Sequence, residues 1–410
     1  MDIYKIIKDE SVYIEYQPIM STHHHDFLGL EALTRSRDGK SIISPISLFF
    51  EAEIEGLTWE LDLLCIRKSI EGFALLYKYH TSLILFINIS ATVIHQYLTN
   101  TILLDFAQKN NIPSKNIVLE INELHNDSIQ LMQDFTKKHR NEGFLIAVDD
   151  IGAGSSNLDR IPLIKPNVMK IDKELVKNIH TSFYKEQVVN TIMQLATNIG
   201  ATVVIEGIET LQDLIKVSAQ GAQLIQGYYL SKPAALTTSD ITALKQKIKT
   251  ILAQLYQETK KQKEILRCQN LEIQRICDAL VTKLERIPTV FYEDIMQEFI
   301  QGEHCIESAY ILNRHGFLMT NTILSQTLDK TQLNSLYSPC KKGDSVELES
   351  YYTQLIYGGY DFWISPEYLS MATGNKSCTL SRQFLTATNE IVIICIDYYK
   401  NKLEMPHLSD

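Results

Sequence analysis

The chain has 410 residues, 45% of them hydrophobic and 21% charged, with a formal net charge of -10. That balance suits a folded chain of two or three domains and leaves no global basic field to draw in DNA or RNA. Seven cysteines without a C-x-x-C pair argue against a disulfide framework or a zinc site, and for reduced thiols in a cytoplasm.

The opening MDIYKIIKDESVYIEY mixes charge with apolar residues and lacks a signal-peptide core. No membrane span is expected: LILFINISATVI (83–94) is too short for the roughly 20 residues required and contains Asn88. His23, His24 and His25 form a triplet that could bind metal, but a solvated loop is the expected reading.

Short apolar runs recur in order. They are VYIEYQPI (12–19), FLGLEAL (27–33), LILFINI (83–89), IVLEI (117–121), FLIAVD (144–149), VMKI (168–171), TVVIE (202–206) and QLIQG (223–227). Longer amphipathic segments lie between most of them, including residues 60–79 and 185–200. Such alternation predicts an α/β fold with a parallel sheet covered by helices. Eight strands suit a closed (β/α)8 barrel, and an open doubly wound sheet is the alternative.

Residues 239–287 change in kind. No Gly or Pro occurs between Asp240 and Pro288, and apolar residues fall at helical spacing. A helix of about 45 residues would reach about 70 Å, so it is expected to connect domains or to pair with a copy of itself. After Pro288, strand–turn–strand readings fit 309–321 and 377–399, the second with a turn at Thr388-Asn389. A small α+β domain on an antiparallel sheet is expected there. The division reads 1–238, 239–287 and 288–410.

The chemistry lies at the strand ends. Glu31, Asn88, Glu120, Asp149 with Asp150, Lys170, Glu206 and Gln226 close seven consecutive strands. In a (β/α)8 barrel these ends converge on one face. Two unit charges 4 Å apart at an effective dielectric near 20 cost about 4 kcal/mol, and several such pairs would rival a domain's whole stability of about 5–15 kcal/mol. Protonation or bound cations must relieve the repulsion. Carboxylates with an Asn carbonyl, and neither His nor Cys, suit hard ions such as Mg²⁺, Mn²⁺ or Ca²⁺. Metal-assisted phosphodiester hydrolysis and enolase-type chemistry both remain open on the residues alone.

Eight motifs in order resemble a known family. Glu31-Ala32-Leu33 followed by Thr34 and Arg35 looks like the signature of the EAL domain, the bacterial cyclic di-GMP phosphodiesterase. QPI (17–19), NIS (88–90), EINE (120–123), DDIGAGSSNL (149–158), KID (170–172), EGIET (206–210) and QGYYLSKP (226–233) follow the family's order. The resemblance implies a TIM-like barrel whose first strand runs against the rest, and hydrolysis of cyclic di-GMP to linear pGpG. It implies that Glu31, Asn88, Glu120 and Asp149 ligate one Mg²⁺ or Mn²⁺, that Asp149 and Asp150 hold a second, and that Ca²⁺ inhibits. Lys170 and Glu206 would act on the attacking water and Gln226 would support the site. Gln17, Leu33, Arg35 and Asp172 would face the dinucleotide, with Glu123 and Glu209 in supporting positions. Asn122, Ile151 and Ser155 depart from the family's usual Thr, Phe and aromatic residue, near the loop that shapes the second metal site and the dimer contact. The layout of barrel, long helix and PAS-like C-terminal domain is similar to the YkuI-type proteins of bacilli. It implies a homodimer and a C-terminal sensor or assembly module of unknown ligand. A catalytically silent cyclic di-GMP receptor signalling through the helix is the alternative.

Overall fold

The computed structural model describes residues 2–24, 26–38, 41–121, 129–153, 158–326 and 337–403. The eight apolar runs become strands of one sheet: β1 (Val12–Ser21), β2 (Asp26–Asp38), a short extra strand β3 (Ser41–Ile43), β4 (Ile84–Ile89), β5 (Ile117–Ile121), β6 (Leu145–Ile151), β7 (Val168–Ile171), β8 (Thr202–Ile205) and β9 (Leu224–Ile225). Pairing runs β1-β9-β8-β7-β6-β5-β4-β2 and back to β1, so the sheet closes on itself, with β3 attached to the outer edge of β2. β1 is antiparallel to both neighbours, with Gln17 opposite Glu31 and Met20 opposite Ile225. From β2 through β9 the barrel strands pair in parallel. The fold is the (β/α)8-type barrel, and the open sheet is excluded.

Strand periodicity builds the interior. Successive side chains point to opposite faces, and one face supplies Ile19, Phe86, Val118, Ala147, Val168, Val204 and Leu224 as a buried plug. Gly29 belongs to that layer, since a Cβ there would lie 2.9 Å from the Phe86 ring. Two residues further along each parallel strand, the same face carries Glu31, Asn88, Glu120, Asp149, Lys170, Glu206 and Gln226. On antiparallel β1 the step runs the other way, from Ile19 to Gln17. One two-residue period therefore converts an apolar plug into a polar mouth.

The strands' outer faces pack under helices. Thr58–Tyr77 buries Leu61, Leu64, Ile66, Ile70 and Phe73, and Phe183–Ile199, capped by the Ser182 hydroxyl, buries Val189, Ile192 and Met193. β2 extends to Asp38, five residues beyond the apolar run, because Thr34, Arg35 and Ser36 pair with Ile14, Tyr13 and Val12 across the antiparallel ladder.

The long helix runs from Thr238 to Leu284, 47 residues. The chain divides into two compact units, Met1–Thr259 and Lys260–Asp410. In the first, Ile241, Leu244, Ile248, Ile251, Leu252 and Leu255 join the barrel's outer core. In the second, Ile273, Ile276, Cys277, Leu280, Val281 and Leu284 join the core of an antiparallel sheet. That sheet contains β10 (Ile306–Asn313), β11 (Ile323–Leu324), β12 (Phe362–Ile364), β13 (Tyr368–Leu369), β14 (Lys376–Leu385) and β15 (Ile391–Tyr398). β14 and β15 form the expected hairpin, turning at Asn389 with φ +64°. The chain also turns back after β10, where Leu312 bridges Leu318, but the main partner of β10 is β15. Among the described residues no helix is long and apolar enough to cross a membrane.

Candidate metal and nucleotide site

At the mouth of the barrel the strand-end residues gather around one ammonium group. Lys170 Nζ lies 2.7 Å from Glu206 Oε1, 2.8 Å from Glu120 Oε1, 3.2 Å from Asp149 Oδ1 and 3.5 Å from Glu31 Oε1. Lys170 is 1% exposed and Glu120 is wholly buried. Burial alone would make the lysine easier to deprotonate, but Asp149, Glu120, Glu206 and Glu31 outweigh it and hold the ammonium well above its ordinary pKa. Burial raises the carboxyls in turn, against the pull of Lys170. Glu120 stands well above its usual range, Asp149 above its own, and Glu206 is pushed up to about 8.

The amides lock this cluster. Gln226 Nε2 donates to Glu31 Oε2 at 2.6 Å and to Gln17 Oε1 at 3.1 Å. Gln17 Nε2 donates to the Ser231 carbonyl, and Asn88 Nδ2 reaches Glu31 Oε1 at 3.3 Å. Gly227 allows the approach, because a Cβ there would meet the Ile208 backbone at 2.1–2.7 Å.

Neighbouring residues on a regular strand point apart, yet Asp149 and Asp150 act together. A register shift interrupts the β6–β7 ladder between Val148 and Ile151, and Asp150 adopts φ +55°. That left-handed backbone is uncommon for a side chain other than glycine and is tolerated best by Asp and Asn. The Asp150 N–H donates to Asp149 Oδ1 at 2.9 Å. Carboxylate oxygens of Asp149, Asp150 and Glu206 consequently lie within 4.8 Å of one another. Gly152 continues the turn at φ +98°, where a Cβ would sit 2.1 Å from Leu175 Cδ1.

Four carboxyls thus ring the Lys170 ammonium, and Asp150 joins the cluster beside Asp149 and Glu206. Among the described residues, Glu120 Oε2 and Gln226 Oε1 are buried without a hydrogen-bond partner. Unsatisfied buried oxygens, with a donor set of carboxylates and amide carbonyls, fit a hard divalent cation.

Beside Glu31 and Asn88 opens a cleft of about 410 Å³, walled by Leu33, Thr34, Pro45, Ile46, Phe49 and Asp62 among others. Asp62, on the helix Thr58–Tyr77, went unnoticed in the sequence. It is 1% exposed, and its Oδ2 accepts from the Tyr97 hydroxyl at 2.5 Å and from the Ser90 N–H at 3.4 Å. Burial pushes this carboxyl up to about 7, against both hydrogen bonds. Its only sequence signal is an acid on the apolar stripe of an amphipathic helix.

Not every candidate joins the cluster. Arg35 is held by Glu15, Nε to Oε2 at 2.9 Å, and by the Thr34 carbonyl. Asp172 caps the short helix Lys173–Val176 through the Glu174 N–H. Glu209 is exposed on the turn after β8. Ile151 is buried at the end of β6 and pairs with Ile171. Glu123, Asn122 and Ser155 lie outside the described residues, as does His25, whereas His23 and His24 are exposed.

The sequence profile of the EAL domain matches residues 2–233. The chain is 30% identical over 333 residues to the EAL-domain containing protein YkuI of Bacillus subtilis, covering 80% of each. It is 29% identical over 228 residues to the probable cyclic di-GMP phosphodiesterase PdeB of Escherichia coli, spanning 55% of this chain and 43% of that one. The crystal structure of B. subtilis YkuI in complex with substrate c-di-GMP and calcium superposes with a TM-score of 0.78 and 25% identity, covering 97% of this chain and 99% of the other.

Proposed function

The chain belongs to the EAL-domain family, and on that premise we propose that it hydrolyses one phosphodiester of cyclic di-GMP to give linear pGpG. The observation that carries this reading is the barrel mouth at which five carboxyls, three amides and Lys170 converge. The naming of PdeB and the nucleotide bound to YkuI support the substrate class.

Glu31, Asn88, Glu120 and Asp149 would hold one Mg²⁺ or Mn²⁺, and Asp149 with Asp150 a second. Such cations polarise a phosphoryl oxygen and lower the pKa of a bound water. Lys170 and Glu206, 2.7 Å apart, are placed to orient that water and to handle its protons. Gln226 keeps Glu31 turned toward the cluster. The water oxygen bonds to phosphorus, the bond from phosphorus to one ribose 3′ oxygen breaks, and that oxygen takes a proton. Gln17, Leu33, Arg35 and Asp172 face the nucleotide in this reading. We add Asp62, whose Oδ1 accepts no hydrogen bond among the described residues. A carboxylate in that cleft suits the paired N–H donors of a guanine edge.

The C-terminal unit, read as a PAS-like module, and a homodimer through it or through the long helix complete the proposal. The apolar side chains Ile265, Leu266 and Leu271 stand exposed on that helix. Seven free cysteines fit a reducing cytoplasm.

Incubation with cyclic di-GMP and Mg²⁺ should yield pGpG. Tight nucleotide binding without product overturns the enzymatic reading in favour of a silent receptor.

A further inference from the structure

The mouth of the barrel already contains a cation. Among the described residues, Lys170 is the positive group that reaches the acid cluster, with four carboxylates within 3.5 Å of its Nζ. An ammonium carries three N–H donors, one fewer than the carboxylates around it. Among the described residues Glu120 Oε2 has no hydrogen-bond partner. The lysine thus offsets the repulsion among these acids only in part.

We propose that Lys170 is the resident counter-ion of the metal-free barrel, and that a divalent cation enters by displacing its ammonium from Glu31, Glu120 and Asp149. The inference rests on the metal-dependent reading above and goes beyond it by making metal uptake a competition. The ammonium and the metal would draw on the same three side chains. Charges of +1 and +2 sharing those oxygens repel twice as strongly as two unit charges at the same distance. Of the four partners, Glu206 alone stands outside the ligand set assigned to the first metal. Displacement therefore leaves Lys170 paired to Glu206, the two groups assigned to the attacking water. Uptake of the ion and completion of the water-handling pair become one event, and the barrel's acids are never left wholly unbalanced.

Mn²⁺ binding to the full chain, followed by calorimetry without nucleotide, tests this with wild type, Lys170→Met and Lys170→Arg. Removing the competing charge should tighten Mn²⁺ binding at least tenfold in Lys170→Met and lower the melting temperature of the metal-free chain. Lys170→Arg should keep wild-type affinity within a few-fold. Unchanged or weaker Mn²⁺ binding by a folded Lys170→Met overturns the proposal. Should that variant not fold, nitrogen NMR of lysine-labelled wild type decides. A slowly exchanging ammonium signal must be present without metal and must change on adding Mg²⁺, and an indifferent signal refutes the displacement. Neither readout needs turnover, so a chain that shows the exchange yet makes no pGpG contradicts the enzymatic reading alone.

Discussion

Glu120 and Lys170 form an ion pair of 2.8 Å with almost no access to solvent. A buried pair of this kind is strongly destabilising when one partner is removed, by about 3–5 kcal/mol, because the other is left charged and unpaired. Glu120→Gln keeps the shape and removes a charge that burial already disfavours. It is expected to fold, to bind Mn²⁺ more weakly and to lose turnover by more than the roughly 10–100-fold seen when a mere supporting partner of a metal ligand is removed. Retained turnover in a steady-state assay would strip Glu120 of its assigned role.

Lys170→Ala should slow hydrolysis by about a hundredfold or more, as loss of a group acting on developing charge does, while cyclic di-GMP binding changes little. A comparison of kcat with the nucleotide dissociation constant separates the two. A variant that loses binding and retains kcat assigns the lysine to the substrate instead.

Arg35, assigned to the nucleotide in the proposed function, is held by Glu15. The pair is partly exposed, 20% and 25% at the side chains, so it contributes about 0.2–1 kcal/mol. Glu15→Gln frees the guanidinium and is expected to tighten cyclic di-GMP binding by up to about fivefold, whereas Arg35→Ala weakens it. Titration calorimetry reads both, and weaker binding by Glu15→Gln would mean that the pair orients Arg35 rather than withholding it.

Asp62 makes stability depend on pH. Its carboxyl holds a proton up to about pH 7 in the folded chain, against an ordinary value of 3.8. Below about pH 4 both states are protonated and the group contributes no difference. Between pH 4 and 7 the folded state binds the extra proton, so this contribution falls as pH rises, by about 4 kcal/mol in all. Asp62→Asn should flatten the loss of stability between pH 4 and 7 in urea titrations. An identical slope in both proteins would locate the proton elsewhere.

Gly227→Ala would drive a methyl group into the Ile208 backbone, an overpacking that costs about 1–3 kcal/mol. Because Gln226 precedes it, the cost should appear in the urea midpoint and in turnover together. An undiminished midpoint would show that the backbone yields freely there.

Much of this was legible in the sequence. Short apolar runs between amphipathic segments mark the eight strands, and the polar residues that end seven of them mark the site. In the barrel those residues stand two positions beyond the plug on the same face. What that two-residue period cannot convey is the exception to it. Asp149 and Asp150 share a site only because a bulge and a left-handed backbone redirect one of them. The ladder beyond Leu33 is polar outside and was cut short, and β3 has no apolar run long enough to announce itself. Asp62 is hard to read for a different reason: its partners Ser90 and Tyr97 lie 28 and 35 residues along the chain, beyond β4. Arg35, named as a nucleotide contact, was seen without the acid that holds it.

The most direct measurement strips the chain of metal with a chelator and then follows linear pGpG as cations are returned to it with cyclic di-GMP. No product without a divalent ion, product with Mg²⁺ or Mn²⁺, and occupancy without product in Ca²⁺ is the outcome expected of this acid cluster. Full-rate cleavage by the stripped chain, or none with any ion returned, would contradict it.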